Sequence, residues 1–353
     1  MNNIENIAYD ENKRTHSIYI LILILLVGIT FYVLFKGGNL QDIYITIGVL
    51  DNKFIILGLL SAIMFICCEA LVLKLLLYIL GEDRPYLQIL KYSFVGFYFS
   101  SITPSASGGQ PMQIYYMKKD GISISKSTLS ILVTVVIYQI TMVFYGMISI
   151  VFNHRLISET TNKIYPLICF GVIINILTIG FILGSIFYSD VIYKLVCKVL
   201  NILKRLGIVD DIEKIKTNFQ KQIREYKQGA RLICNNIGTI VMIFIISFIQ
   251  LTSIYAITFF VYRGFGLFHI SLWRIIAMQS ILNIAVSSLP LPGGVGASEG
   301  VFMLLFKTIF PKSILAAAML ISRGISYYAL LIISGGVLFF MNIFNLKSKV
   351  NIK

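Results

Sequence analysis

Residues 287–300 read Ser-Ser-Leu-Pro-Leu-Pro-Gly-Gly-Val-Gly-Ala-Ser-Glu-Gly, and they decide how the chain is laid out. On either side lie apolar runs at 272–286 and 301–306. Each run is shorter than the roughly 20 residues that a helix needs to cross a bilayer. Pro290 and Pro292 have no N–H to give and clash with the preceding helical turn, while Gly293, Gly294, Gly296 and Gly300 loosen the backbone. The expectation is a chain that enters the membrane, breaks and turns back. Irregular backbone at that depth persists only where protein covers it or water reaches it, so the break is a candidate binding site.

The composition demands a membrane setting. The chain has 353 residues, 57% hydrophobic and 13% charged, with a mean hydropathy of +0.85. Soluble domains carry about 25% charged residues. The formal charge is +14, from 30 basic against 16 acidic residues. That excess suits loops on the cytoplasmic side and anionic headgroups. Nucleic acid fits less well, because no long basic segment interleaved with aromatics lies outside the apolar runs. Five cysteines form no CxxC pair, and Cys67, Cys68 and Cys169 read as small hydrophobes. His16, His154 and His269 fall near span ends and carry no assigned role. No P-loop, HExxH or GxSxG occurs, and no cofactor or metal is expected.

Taken in order, apolar runs at 18–35, 54–73, 128–152, 165–187, 237–262 and 313–344 are long enough to span. The first is read as a retained span and not as a cleaved signal. The run at 89–101 is too short, and it ends in a second Ser-Ser, proline and Gly-Gly break at 100–111 before a short amphipathic piece at 112–117. Ten lysines and arginines crowd residues 194–231, which places that loop in the cytoplasm. Counting outward from it, both short segments return to the side they entered from, and both termini are cytoplasmic. The fold expected is an all-α polytopic membrane protein with about six full spans plus two re-entrant broken hairpins in an inverted repeat. Its parts are a cytoplasmic segment at 1–16, a transmembrane domain at 17–345 and a basic tail at 346–353. Ordinary loops between full spans are the alternative reading of the two breaks.

A half-helix that starts inside the membrane presents free N–H groups and partial positive charge, which suits a lipid phosphate. Pro292, Gly293, Gly294, Gly296 and Ser298 supply such a start in the second break, Ser298 as a cap. Ser105, Ser107, Gly108, Gly109 and Gln110 supply it in the first. Small residues also allow tight helix crossing, so the glycines alone leave both readings open. Arg323 sits too deep in the last span to snorkel easily and is expected to face the cavity, forking to a carboxylate or a phosphate. Glu299 can complement the helix dipole, pair with Arg323, meet a cationic headgroup or carry a proton. Glu69 is a further candidate, and interfacial solvation is its bland alternative. Apolar positions at helical spacing in 190–234 predict two amphipathic helices on the inner leaflet. Tyr115, Tyr116, Tyr138, Tyr145, Tyr327 and Tyr328 read as interface belt or packing.

The motifs Pro104-Ser105-Ala106-Ser107-Gly108-Gly109-Gln110-Pro111 and Pro290-Leu291-Pro292-Gly293-Gly294-Val295-Gly296-Ala297-Ser298-Glu299-Gly300 resemble the flippase-like transmembrane region of lysylphosphatidylglycerol synthases, the multiple peptide resistance factor family. The resemblance covers about residues 15–345. It implies a lipid flippase of the bacterial inner membrane that moves aminoacylated phosphatidylglycerol and so contributes to resistance to cationic antimicrobial peptides. Full-length members add a cytosolic aminoacyltransferase domain fed by lysyl-tRNA, and residues 1–353 show no counterpart, so lysyl transfer to phosphatidylglycerol is the alternative expectation. A membrane subunit that recruits a separate cytosolic synthase through 190–234 is another.

Overall fold

The computed structural model describes residues 50–152, 164–188 and 212–350, with residue 48 and short pieces at 193–194, 196–198 and 201. The expected segment 1–16, the first span at 18–35, most of the first amphipathic stretch and the last residues of the tail lie outside them. Among the described residues the chain is helical and has no strand.

Helix α1 spans Asn52–Ile79 and starts where the Asp51 side chain accepts the Lys53 N–H, 3.1 Å. It stops at Gly81, whose φ of 77° lets the Glu82 N–H reach back to the Leu77 carbonyl, 2.9 Å. Helices α2 (Tyr86–Ile102) and α3 (Gly109–Lys119) form the first hairpin. Helices α4 (Ile124–Phe152) and α5 (Tyr165–Phe187) follow, then α6 (Ile212–Asn235) and α7 (Ile237–Gly264). The second hairpin is α8 (Leu272–Ser287) and α9 (Ala297–Phe306). The chain closes with α10 (Leu315–Arg323), a π-helical turn at Gly324–Ala329 and α11 (Leu330–Val350).

Among the described residues, five helices are long and apolar enough to cross a membrane: Asn52–Ile79, Ile124–Ser149, Tyr165–Phe187, Ile237–Gly264 and Leu315–Met341. They answer to the five expected spans that fall on described residues. Their outer faces are apolar, as at Phe170, Ile173, Leu177 and Phe181 along one stripe of α5. The hairpin helices have 17 and 11 residues in the first hairpin and 16 and 10 in the second, none of them enough to span.

Helix α7 packs along α1, and α8 lies among α4, α5, α7 and α9. Ile281, Ile284, Phe302 and Phe306 of the second hairpin are buried in the largest apolar cluster. The first hairpin is buried through Ile89, Tyr92 and Val95 against Leu73 and Leu77 of α1. Two features depart from the expectation. The last span is not one continuous α-helix, since the π-turn interrupts it just after Arg323. Helix α6 carries the expected basic amphipathic pattern, but its C-terminal half packs on the bundle. Tyr226, Ala230 and Ile233 join a cluster with Leu80 and Leu129, and an added Cβ at Gly229 would lie within 2.8 Å of both leucines.

Candidate functional site

Each hairpin breaks in the same manner, with extended backbone, a short turn and left-handed residues. In the first, Thr103 is extended, and its hydroxyl donates to the Phe99 carbonyl at 2.6 Å while accepting the Gly108 N–H at 2.9 Å. Ser105 and Ala106 then take φ of 52° and 54°, which L-residues reach at a cost of roughly 1–2 kcal/mol each. Gly109 seats α3 on α2, because a Cβ there would meet the Ser100 hydroxyl at 1.9 Å.

In the second break Gly293 has φ 57°, and a Cβ on it would run into the Tyr327 ring at 2.2 Å. Both constraints leave only glycine. The half-helix α9 is capped by its own third residue, since Glu299 Oε2 accepts the Gly296 N–H at 2.6 Å. Ser298 is therefore inside the helix and is not its cap. Arg323 Nε donates to Glu299 Oε1 at 2.9 Å, and Nη2 donates to the Gly293 carbonyl at 2.9 Å. Its guanidinium also lies over the Tyr327 ring, 4.6 Å from the centroid. Of the four roles open to Glu299, two are occupied in this structure: dipole complement and partner of Arg323.

The two breaks meet. Ile102, Val295 and Tyr327 share a small buried cluster, and the Tyr327 hydroxyl donates to the Ser101 carbonyl at 2.9 Å. Behind this seam lies a cavity of about 520 Å³ walled by both hairpins and by α1, α4, α5, α7 and α10. Glu69, Ser105, Gln110, Gly293, Gly294, Ser298 and Arg323, all expected from the sequence, line it. The other candidates stand outside the lining. Gly109, Pro292 and Glu299 are buried behind it, Gly108 is partly covered, and Ser107 and Gly296 are exposed.

Sequence reasoning missed the amides. Gln113, Gln139, Asn175, Gln250, Gln279 and Asn283 all line the cavity. Asn175 Nδ2 bonds the Gly171 carbonyl at 2.8 Å and the Ser287 hydroxyl at 3.2 Å, tying α5 to the start of the second break. Asn283 Nδ2 donates to the Tyr255 hydroxyl at 2.8 Å. The Gln139 carbonyl oxygen is buried without a partner among the described residues. The available signal was an amide recurring inside otherwise apolar runs, which is costly in lipid unless it faces a polar space.

A helical bundle with apolar outer faces, two helices broken at mid-length and a polar cavity between the breaks defines a multi-pass membrane protein with an internal polar chamber. A family profile described as the lysylphosphatidylglycerol synthase TM region matches residues 18–334, and the chain belongs to that family. It is 21% identical over 276 residues to a UPF0104 membrane protein of Archaeoglobus fulgidus, covering 78% of this chain and 82% of that protein. It is 22% identical over 306 residues to one of Pyrococcus horikoshii, covering 83% and 88%.

Proposed function

We propose that this chain is a lipid translocator of a bacterial inner membrane, moving aminoacylated phosphatidylglycerol or a related phospholipid between leaflets. In that setting it contributes to resistance against cationic antimicrobial peptides. The carrying observation is the amide-rich cavity enclosed between two broken hairpins in a bundle whose outside is apolar. A headgroup needs such a chamber to pass the hydrocarbon layer, while its acyl chains can stay in lipid. The left-handed turn at Gly293 and Gly294 brings bare backbone to the cavity wall. Arg323 uses two of its five N–H donors on Glu299 and Gly293. The remaining donors, with Ser105, Gln110 and Ser298, are offered to the phosphate. The repeat is inverted in this reading, with both termini in the cytoplasm and the loop at 190–234 beside them.

The test uses purified protein in vesicles carrying aminoacyl phosphatidylglycerol, with an impermeant amine reagent reading the outer leaflet. The Arg323→Ala/Glu299→Ala double variant should slow transfer at least tenfold, since both an anion donor and the brace of the second break are lost. Equal rates for wild type and variant would overturn the reading.

A further inference from the structure

Two acids stand at the cavity in opposite circumstances, one buried behind its wall and one half-buried on it. Glu299 sits behind the wall with an arginine and a backbone N–H on its oxygens. Glu69 stands well inside α1 and faces the cavity itself. Its Oε1 accepts one N–H of Gln113 at 3.0 Å. The other N–H of that amide goes to the Tyr92 carbonyl at 3.2 Å, so Gln113 is held in place. Gly96 makes room for it, because a Cβ there would lie 2.2 Å from Gln113 Nε2. Among the described residues Glu69 Oε2 has no partner, and no basic side chain comes within ion-pair reach of Glu69.

Among the described residues that line the cavity no cation is left unpaired for Glu69. Lys74 lies five residues further along α1, about 140° round the helix, and does not line the cavity. The titratable or charged groups facing the cavity from the elements packed around it are Tyr138 of α4, Tyr255 of α7, Arg323 of α10 and Tyr327 of the π-turn. From α2, Tyr86 gives its hydroxyl to the Cys67 carbonyl and Tyr92 gives its own to Asp120. Helix α6 sends none of its described side chains to the cavity. Arg323 is the one cation in this group, and Glu299 already holds it. A charged carboxylate at this depth with a single neutral hydrogen bond costs several kcal/mol. A metal ion is a poor answer. An N–H donor already occupies one oxygen, and no cluster of three metal-ligating side chains occurs among the described residues.

We infer that Glu69 is the proton carrier of the transport cycle, taking a proton from the water on one side of the membrane and giving it up to the other. This rests on the translocation reading. The step is a transfer of H⁺ from water to a Glu69 oxygen and back to water, with no other bond made or broken. Its effect is to change the cavity by one unit of charge between the two halves of the cycle, which gives a proton gradient purchase on the lipid.

Two measurements test it. In vesicles, an imposed pH gradient should change the wild-type transfer rate several-fold. Glu69→Gln keeps the shape and the Gln113 contact, so it should retain undriven exchange between leaflets and lose the response to the gradient. In detergent, infrared difference spectra across a pH titration should show a carboxylic-acid carbonyl band in wild type that is absent from Glu69→Gln. A gradient response that survives in the variant overturns the inference. So does a variant that loses undriven exchange as well, since the carboxylate would then serve the headgroup. If wild type moves no lipid, the translocation reading fails, and the infrared band still decides proton binding: its absence from wild type overturns that part too.

Discussion

Gly293 concentrates the demands of the second break on one position. Its φ is 57°, the Tyr327 ring fills the space where a side chain would go, and its carbonyl is held by Arg323. Gly293→Ala should therefore lower stability by about 1–3 kcal/mol and abolish lipid transfer, read by thermal unfolding and the vesicle assay. Gly300→Ala is the matched control. Nothing lies within 4 Å of its missing Cβ and its backbone is helical, so stability should hold or rise slightly. Residues of this kind were legible in the sequence, because a glycine beside two prolines announces a break and an arginine in an apolar run demands a partner. The amides were not legible. Gln113 and Asn283 differ little from lipid-exposed polar residues until the fold turns them to a common space. Glu69 was visible as a candidate, but its lack of a countercharge appears only when its neighbours are placed.

Among the elements, the ends of the first hairpin are clasped by ion pairs. Lys126 and Arg84 bond Glu82 at 2.8 and 3.2 Å, while Lys91 and Tyr92 bond Asp120. Burial opposes charge on both acids, yet these partners outweigh it and hold both carboxyls below the ordinary carboxylate range. Pairing that favours the ionised form stabilises the fold above the unfolded values near about pH 4 and is lost as pH falls through the folded ones. The melting temperature should stay flat from neutral pH to about pH 5 and then drop, and Asp120→Asn should flatten part of that drop. At neutral pH that substitution should cost about 1 kcal/mol, because the pair stays a quarter exposed. The hairpins themselves were legible as elements, since short apolar runs flanking Gly-Pro breaks cannot span. The π-turn was not, since no proline or glycine pair marks it, and the residues around it are held by the hairpins, Arg323 by the second and Tyr327 by the first. Nor was the docking of α6, because an apolar stripe on a basic helix suits a lipid surface and a helical bundle equally well.

For the molecule as a whole, the decisive expectation is orientation. The charge bias puts the turn after α3 in the cytoplasm and the turn after α9 outside. Lys118 lies in the last turn of α3, and Lys312 lies between α9 and α10. Cysteines placed at these two positions should label with impermeant thiol reagents from opposite faces of the membrane. Labelling from the same face would end the inverted arrangement.

Tyr327 lodges its ring in the space above Gly293 and hooks its hydroxyl on Ser101, so a single side chain touches both hairpin tips. It rides on the one widened turn of the last span. That makes it a shared stay: one ring fixes where both tips lie, and shortening it in Tyr327→Ala would release the two together.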